Sequence, residues 1–538
     1  MVRLTDDYLQ DAAAFTKAGI TVPKFDQAEV KQAAQEAPVW VHFGGGNLFR
    51  CFHAKLAQDL LDAGELQAGV IVAETYDDGV IEQAYKPYDN RVLQVVMDEA
   101  GNYDKTLIAS VADAIYYNKA NTDGWSKLKG IFEKKSLQFV TMSITEKGYA
   151  LRDVNGDLTE AAQADIAGNP DDARTNMGAI ARLLLARFNA GKLPIAMVST
   201  DNFSENGKRF EEAILTIATG WEANGTVPAE FVDYLKNPKQ VSFPWSMIDR
   251  ITPNPAESVA KILKDSGFED TNIIHTAKHT NIAPFGNTEV TNYLVIEDSF
   301  PNGRPALDKA GVILTDRDTV NDADQMKVTA CLNPLHTGLA IFGSVLGYNS
   351  IAEEMTNPDL VALVKQVGYN EDLPVVKDPK IIDPKHFIDE VINKRLPNKN
   401  IPDTPQRIAS DSSQKIPIRY GVTLKHYLDE GKSTSDLKAI PLIIAGWCRF
   451  LMAVKDDGTP FTPSFDPLLD KLQPYVENIK LGDAVDAHAV LKPILTNKQI
   501  FPTDLEAAGL TPKIEAYFTA MIAGKGAVAK TLHEVLGD

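Results

Sequence analysis

Val39-Trp40-Val41-His42-Phe43, then Gly44-Gly45-Gly46-Asn47, then Leu48-Phe49-Arg50 and the run Cys51-Phe52-His53-Ala54-Lys55-Leu56-Ala57-Gln58-Asp59-Leu60-Leu61 decide the fold. The opening residues form a short apolar run of the kind a buried parallel strand requires. The glycines let the backbone turn sharply and come close to a ligand. The remainder repeats apolar residues at helical spacing. Strand, glycine turn and helix together are the context of a dinucleotide-binding turn, because the helix N-terminus offers free N–H groups to a pyrophosphate. The last glycine of the G-x-G-x-x-G pattern is absent, and Phe49 stands in its place. Taken alone, the segment reads equally well as a glycine turn without a ligand.

The next strand adds to the signal. It is the β-rich run GVIVAE, and Glu74 ends it. An acid there accepts hydrogen bonds from the adenosine ribose hydroxyls and repels a 2′-phosphate, so NAD is expected rather than NADP. Asp77 and Asp78 follow closely, and any of the three acids could take that role; a solvated strand end is the plainer reading. Two further apolar runs, LQFVTMSIT (137–145) and LPIAMVST (193–200), flank a helical stretch from Asn176 to Ala190. Alternating strands and helices predict a parallel sheet covered on both faces. YLVIED (293–298) is expected to be the last strand of this part.

Beyond about residue 320 helical patterns dominate, at Val328–Leu346, Ala352–Val367, Leu437–Val454, Ile514–Ala523 and Ala527–Leu536. Gly, Pro and Asp cluster at 299–305 and 315–324, which is read as the link. The expected class is α/β: a Rossmann-like NAD-binding domain over residues 1–310, followed by a mainly α-helical substrate and catalytic domain over 311–538. Residues 1–35 read as polar and helical, and 396–417 as a structured loop.

A length of 538 residues calls for two or more domains. The formal net charge of −19 argues against a nucleic-acid partner, which needs concentrated Lys and Arg. It leaves an anionic small molecule open, since a pocket can be locally basic. Cys51, Cys331 and Cys448 are widely separated and form no C-x-x-C pair, which fits a reducing, cytoplasmic setting and suggests no zinc knuckle. The N-terminus lacks the apolar core of a signal peptide. No window approaches the ~18–20 apolar residues of a membrane span, so no membrane partner is expected. His275 and His279 sit at helical spacing but lack the glutamate of H-E-x-x-H, and no metal is expected. The composition carries no signal on oligomeric state.

Four ordered motifs carry a resemblance. Phe243-Pro244-Trp245-Ser246-Met247-Ile248-Asp249-Arg250-Ile251-Thr252-Pro253 is the most specific. Gly44 to Arg50, Ile144-Thr145-Glu146-Lys147-Gly148-Tyr149 and Ser199-Thr200-Asp201-Asn202-Phe203-Ser204-Glu205-Asn206-Gly207 agree with it. Together they resemble the long-chain mannitol dehydrogenases, a family that includes mannitol 2-dehydrogenase, fructuronate reductase and tagaturonate reductase. The resemblance implies cofactor contacts at Gly44, Gly46, Asn47, Leu48, Arg50 and Glu74. It also implies a catalytic lysine, Lys327, followed by Asn333 and His336 in Lys327-Val328-Thr329-Ala330-Cys331-Leu332-Asn333-Pro334-Leu335-His336.

This stretch has one more residue between lysine and asparagine than the mannitol enzymes, and Pro334 where they carry a small residue. On an ideal helix the insertion rotates Lys327 by ~100°, so a bulge, local overwinding or a proline-ended turn is expected. Oxidising a secondary alcohol needs a base for the hydroxyl proton, and a lysine serves if burial lowers its pKa. By resemblance Asn202 and Asn333 hold the developing oxyanion, His336 orients the lysine or the substrate, and Glu146 gates the proton path. A lone lysine in a helix is usually a solvated residue, but the apolar flanks of Lys327 speak against that here.

Asp249 and Arg250 could form an internal salt bridge, but one of them, Asp249 rather than Arg250, is expected to touch substrate. In the loop Arg407-Ile408-Ala409-Ser410-Asp411-Ser412-Ser413-Gln414-Lys415, the family resemblance makes Arg407 and Lys415 substrate-binding, and Arg419 adds a cation. Three cations suit a carboxylate, so a sugar acid is favoured over a polyol. The expected reaction interconverts D-fructuronate and D-mannonate with NAD. Mannitol 2-dehydrogenase or tagaturonate reductase activity is the alternative, and a nucleotide-binding sensor without catalysis the remote one.

Overall fold

The computed structural model describes residues 1–118, 121–153 and 156–537. It divides into two compact units, Met1–Asn321 and Asp322–Asp538. In the first, six strands lie side by side: β1 (Trp40–Phe43), β2 (Val70–Glu74), β3 (Val111–Tyr116), β4 (Phe139–Met142), β5 (Ile195–Ser199) and β6 (Val241–Ser242). Their order is β3-β2-β1-β4-β5-β6 and every neighbouring pair is parallel. This is the doubly wound arrangement, whose order reverses between β1 and β4.

Both faces of the sheet are covered, which is why β1 reads as continuously apolar rather than alternating. Val41 and Phe43 enter one core cluster with Val140 and Met142. Trp40 enters the other, with Val72, Phe139 and Val198. His42 is the polar exception. Its Nδ1 lies 2.7 Å from the Thr141 hydroxyl and its Nε2 2.8 Å from that of Ser143. Burial holds this imidazole far below its ordinary pKa, hence neutral.

Two smaller sheets complete the unit. A hairpin, Val92–Met97 with Tyr103–Ile108, lies between strands Ile20–Thr21 and Phe285–Glu289. Strand β7 (Ser246–Asp249) pairs antiparallel with β8 (Tyr293–Glu297), and β8 pairs parallel with β9 (Ile313–Thr315). YLVIED is therefore not the last strand, because a further short one follows it. Residues 1–35 hold helices Ala12–Lys17 and Gln27–Glu36 around a strand, rather than helix alone. His275 and His279 belong to a small hairpin and not to a helix, and His279 has a left-handed φ of 65°.

The resemblance motifs of this unit are tied together by side chains. After β5 comes helix α1 (Asn206–Ala223). The buried Asn206 amide donates to Asp201 O (3.1 Å), Ser246 O and Ser246 Oγ (both 3.0 Å), and accepts from Ser246 N (3.0 Å). Gly207 beside it has no room for a Cβ, which would lie 2.6 Å from Phe243 O and 2.8 Å from Pro244 O. Asn-Gly and Phe-Pro-Trp-Ser thus specify one packed junction.

The second unit is helical. Helix α2 (Arg317–Met326), within which the division falls, runs into a five-residue π-turn, Lys327–Cys331, and then α3 (Asn333–Leu346). Arg317–Leu346 is long and apolar enough to span a membrane by length and composition, against the expectation above. It is core instead, since 83% of its most apolar window is buried. The stretch expected at Ala352–Val367 is two short helices, Ile351–Glu354 and Pro358–Lys365, followed by a π-turn, Gln366–Asp372. After α4 (Val422–Asp429) comes α5 (Ala439–Phe450), which is buried throughout. The free N–H groups at its start are met by Glu371, whose carboxylate accepts from Lys438 N and Ala439 N at 2.7 Å and from Ile440 N at 2.8 Å. The loop 396–417 contains two short helices, Pro405–Ile408 and Ser412–Ile416.

Asn206→Ala strands several buried groups at once, and is expected to lower stability by about 2–3 kcal/mol. A shift of the chemical-denaturation midpoint checks this.

Candidate active site

The glycine turn stands at the C-terminal end of β1, beside the reversal of strand order, where open α/β sheets bind ligands. Gly44 has φ 105°, and a Cβ there would lie 2.2 Å from Ser143 O, so only glycine fits. A Cβ on Gly46 would meet no atom within 4 Å, so this side of the turn is open. The chain continues through a π-turn, Phe49–His53, into helix Ala54–Asp62. Over the ends of β1, β2 and β4 lies a cavity of about 530 Å³, lined among others by Gly44, Gly46, Glu74, Thr145, Asn176 and Thr280. Its size, its glycine cradle and its acid fit part of a dinucleotide.

The acids near the turn divide by their partners. Glu74 Oε2 accepts from Gly45 N at 2.9 Å and Oε1 from Tyr76 N at 2.8 Å, so the carboxylate braces the turn while lining the cavity. Asp77 is buried and receives the hydroxyls of Thr276 and Thr280, each at 2.6 Å, and Gly79 N at 3.0 Å. Asp78 is exposed. Asn47 donates to Asn281 O at 3.2 Å, and Leu48 packs against the core. Arg50 lies behind the turn and is buried, with its guanidinium 5.4 Å from the Tyr85 ring. The Tyr85 hydroxyl in turn donates to Gly45 O at 2.8 Å.

Asp201 holds the Thr-Glu segment in place. It accepts from Ile144 N (2.9 Å), Thr145 N (2.8 Å) and the Tyr149 hydroxyl (2.7 Å). These bonds fix Thr145 at φ 67°, a conformation that non-glycine residues adopt only when held. Glu146 is exposed and ion-paired with Arg209. Asn202 is exposed in the loop after β5. Asp249 is buried at the end of β7, and Arg250 turns to Thr288 Oγ (2.9 Å) and Glu289 O (3.3 Å).

In the second unit Lys327 is 1% exposed, so it is no surface lysine. It opens the π-turn, which closes through Leu332 N to Lys327 O at 3.2 Å. A π-turn takes up one extra residue within a single turn, so the flanking helices keep their angular relation. The expected bulge is thus present between Lys327 and Asn333. Pro334 sits in the first turn of α3, where its missing N–H is tolerated. Asp324, one turn before, places Oδ1 3.6 Å from Lys327 Nζ.

His336 Nε2 lies 3.6 Å from Asp403 Oδ2. Burial holds this imidazole well below its ordinary pKa; Asp403 pulls the other way, and Arg395, Arg419 and Arg407 push further down. His336 is thus neutral, with cations around it. Arg407 pairs with Asp403, and Arg419 donates to the Thr337 hydroxyl. Lys415 donates to Ile408 O at 3.0 Å, and burial and then Arg419 push it down to about 8. The sequence reading found Arg407, Lys415 and Arg419. It missed Asp403, the counter-charge, and Arg395, which stands on a π-turn, Val391–Arg395, and carries no motif. Asp324 was legible as an acid three residues before the lysine.

Residues 39–309 match the mannitol dehydrogenase Rossmann domain and 320–522 the mannitol dehydrogenase C-terminal domain. A D-mannonate oxidoreductase of Thermotoga maritima is 49% identical, over 100% of this chain and 99% of that protein. A mannitol 2-dehydrogenase of Cereibacter sphaeroides is 28% identical, over 84% and 88%. Among solved structures, Pseudomonas fluorescens mannitol 2-dehydrogenase in a ternary complex with NAD and D-mannitol superposes with TM-score 0.71 at 25% identity, covering 99% of each chain. A substrate-free D-sorbitol dehydrogenase gives TM-score 0.78 at 24% identity over 96% and 98%, a likeness of fold. Agreement runs through both halves and the full length, and the chain belongs to the mannitol dehydrogenase family.

Proposed function

We propose that this protein is an NAD-dependent oxidoreductase interconverting D-fructuronate and D-mannonate. The observation that carries the sugar-acid reading is the gathering of Arg395, Arg407 and Arg419 around His336, with Lys415 beside Arg419 and Arg407, and with Asp403, Asp411 and Asp466 as the carboxylates among them. A neutral polyol has no charge to pair with these cations, whereas a carboxylate is bound by arginine in bidentate fashion. The full-length similarity to a D-mannonate oxidoreductase supports the same substrate.

Bound NADH supplies the hydride that reduces the ketone. Glu74, which shares the cavity wall with Asp77, is the acid assigned to the ribose hydroxyls, and Gly44, Gly46, Asn47, Leu48 and Arg50 form or brace the turn. Lys327 carries the proton: its ammonium protonates the ketone oxygen, and its amine takes the hydroxyl proton in the reverse direction. Asn333, and by resemblance Asn202, donate to the oxygen as charge develops. Neutral His336 offers one N–H and one lone pair for orienting substrate. Arg407 and Lys415 take substrate oxygens, as does Asp249, and Glu146 exchanges protons with solvent. The three cysteines are buried and unpaired, in keeping with a cytoplasmic setting.

The test is a substrate panel followed by NADH absorbance. D-Fructuronate is expected to give the highest kcat/KM; equal or better turnover of D-fructose would overturn the sugar-acid assignment. Lys415 also predicts a pH effect. A group lowered to about 8 is charged below that pH and loses its charge as pH rises through it. The KM for the sugar acid should therefore climb above about pH 8. Lys415→Arg should remove that climb, and an unchanged profile would remove Lys415 from substrate binding.

A further inference from the structure

We propose that Asp372 and Thr423 are positioning residues for Lys327, holding the π-turn from beneath through a two-link hydrogen-bond chain that ends on the Thr329 carbonyl. The inference rests on Lys327 being the acid and base of the reaction.

The need for such a chain follows from the backbone. The turn closes in the i to i+5 register, with Leu332 N on Lys327 O. Carried forward, that register asks Pro334 for a donor to Thr329 O, and proline has none. The Thr423 hydroxyl, at the start of α4, lies 3.3 Å from Thr329 O and 2.9 Å from Asp372 Oδ1. A second clamp acts one step on, where the buried Tyr420 hydroxyl donates to Pro334 O at 2.7 Å. All these groups are buried, so water cannot replace them.

Proton counting decides how the chain works. Thr423 has one hydroxyl proton and two acceptors within reach. If Asp372 is ionised, its carboxylate takes that proton and the Thr329 carbonyl goes without. If Asp372 carries a proton, the acid donates to Thr423 Oγ and Thr423 donates to Thr329 O, so each link has one donor. Asp372 is completely buried and its Oδ2 has no hydrogen-bond partner, an environment hostile to a carboxylate. Burial accordingly raises its pKa well above the ordinary value, and the neighbouring Glu371 carboxylate adds to this.

The chain acts on geometry and not on substrate, so its loss should appear in kcat. Thr423→Val keeps the shape and removes both links. It is expected to lower kcat about 100-fold, as a small misplacement of a catalytic group does, with the KM for D-mannonate and the Kd for NADH unchanged. Thr423→Ser should restore kcat. Asp372→Asn, whose amide N–H₂ donates as the acid does, should keep kcat, whereas Asp372→Leu should lose it. If Asp372→Leu fails to fold, the Thr423 pair decides alone. Wild-type kcat in Thr423→Val, or a serine variant as slow as the valine one, would overturn the inference. An unsubstituted enzyme inactive on D-mannonate would instead overturn the functional reading.

Discussion

With Lys327 proposed as the acid and base, the chemistry depends on one backbone irregularity, the π-turn Lys327–Cys331. A lysine must be both buried and aimed to move protons. Burial is supplied by a helical run that is core along most of its length. Aim is supplied by the turn, which absorbs a residue that would otherwise swing the ammonium about ~100° around the helix. The sequence places Pro334 where the helix restarts, so the same residue that tolerates the missing N–H also withholds a donor from the turn. Side chains of α4 and of the preceding loop make good what the backbone lacks. Further π-turns, at Gln366–Asp372, Val391–Arg395 and Pro417–Gly421, carry Asp372, Arg395 and Arg419. Four of the groups given a role in this unit, Lys327, Asp372, Arg395 and Arg419, thus stand on widened turns, which are common at functional sites.

The first unit solves a different problem, that of bringing a polar ligand to a sheet buried on both faces. The reversal of strand order opens a crevice at the ends of β1 and β4, and glycine is required at Gly44 because the Ser143 carbonyl lies against it. Several polar residues behind this crevice are engaged with one another. His42 takes two hydroxyls, and Asp77 takes two hydroxyls and a backbone N–H. Asp201 and Asn206 tie three segments of chain together. Motifs that look like a list of contacts to ligand are in good part the internal bracing of the loops that form the cavity.

That distinction explains what was legible in the sequence. The parallel sheet was, because buried parallel strands leave unbroken apolar runs such as those of β1, β4 and β5. The hairpin Val92–Met97 and Tyr103–Ile108 was not found, since its second strand mixes polar and apolar positions and leaves the apolar run of the first without a visible partner. The motifs were visible, but whether Asn206 faces a ligand or Ser246 depends on a partner forty residues away. The burial of Lys327 was legible in its apolar flanks. The fate of the inserted residue was not, because an overwound turn, a bulge and a broken helix share one sequence and differ only in which carbonyls find donors. Arg395 and Asp403 gave no sign because their meaning is their position around His336.

The central claim is that a buried, π-turn-borne Lys327 is the proton donor and acceptor. The most direct measurement is the single-turnover rate of Lys327→Ala on D-fructuronate, with NADH binding measured alongside. The account predicts a fall of about 10²–10⁴-fold in rate, with NADH still bound at near wild-type affinity. A variant that turns over at close to the wild-type rate would contradict it.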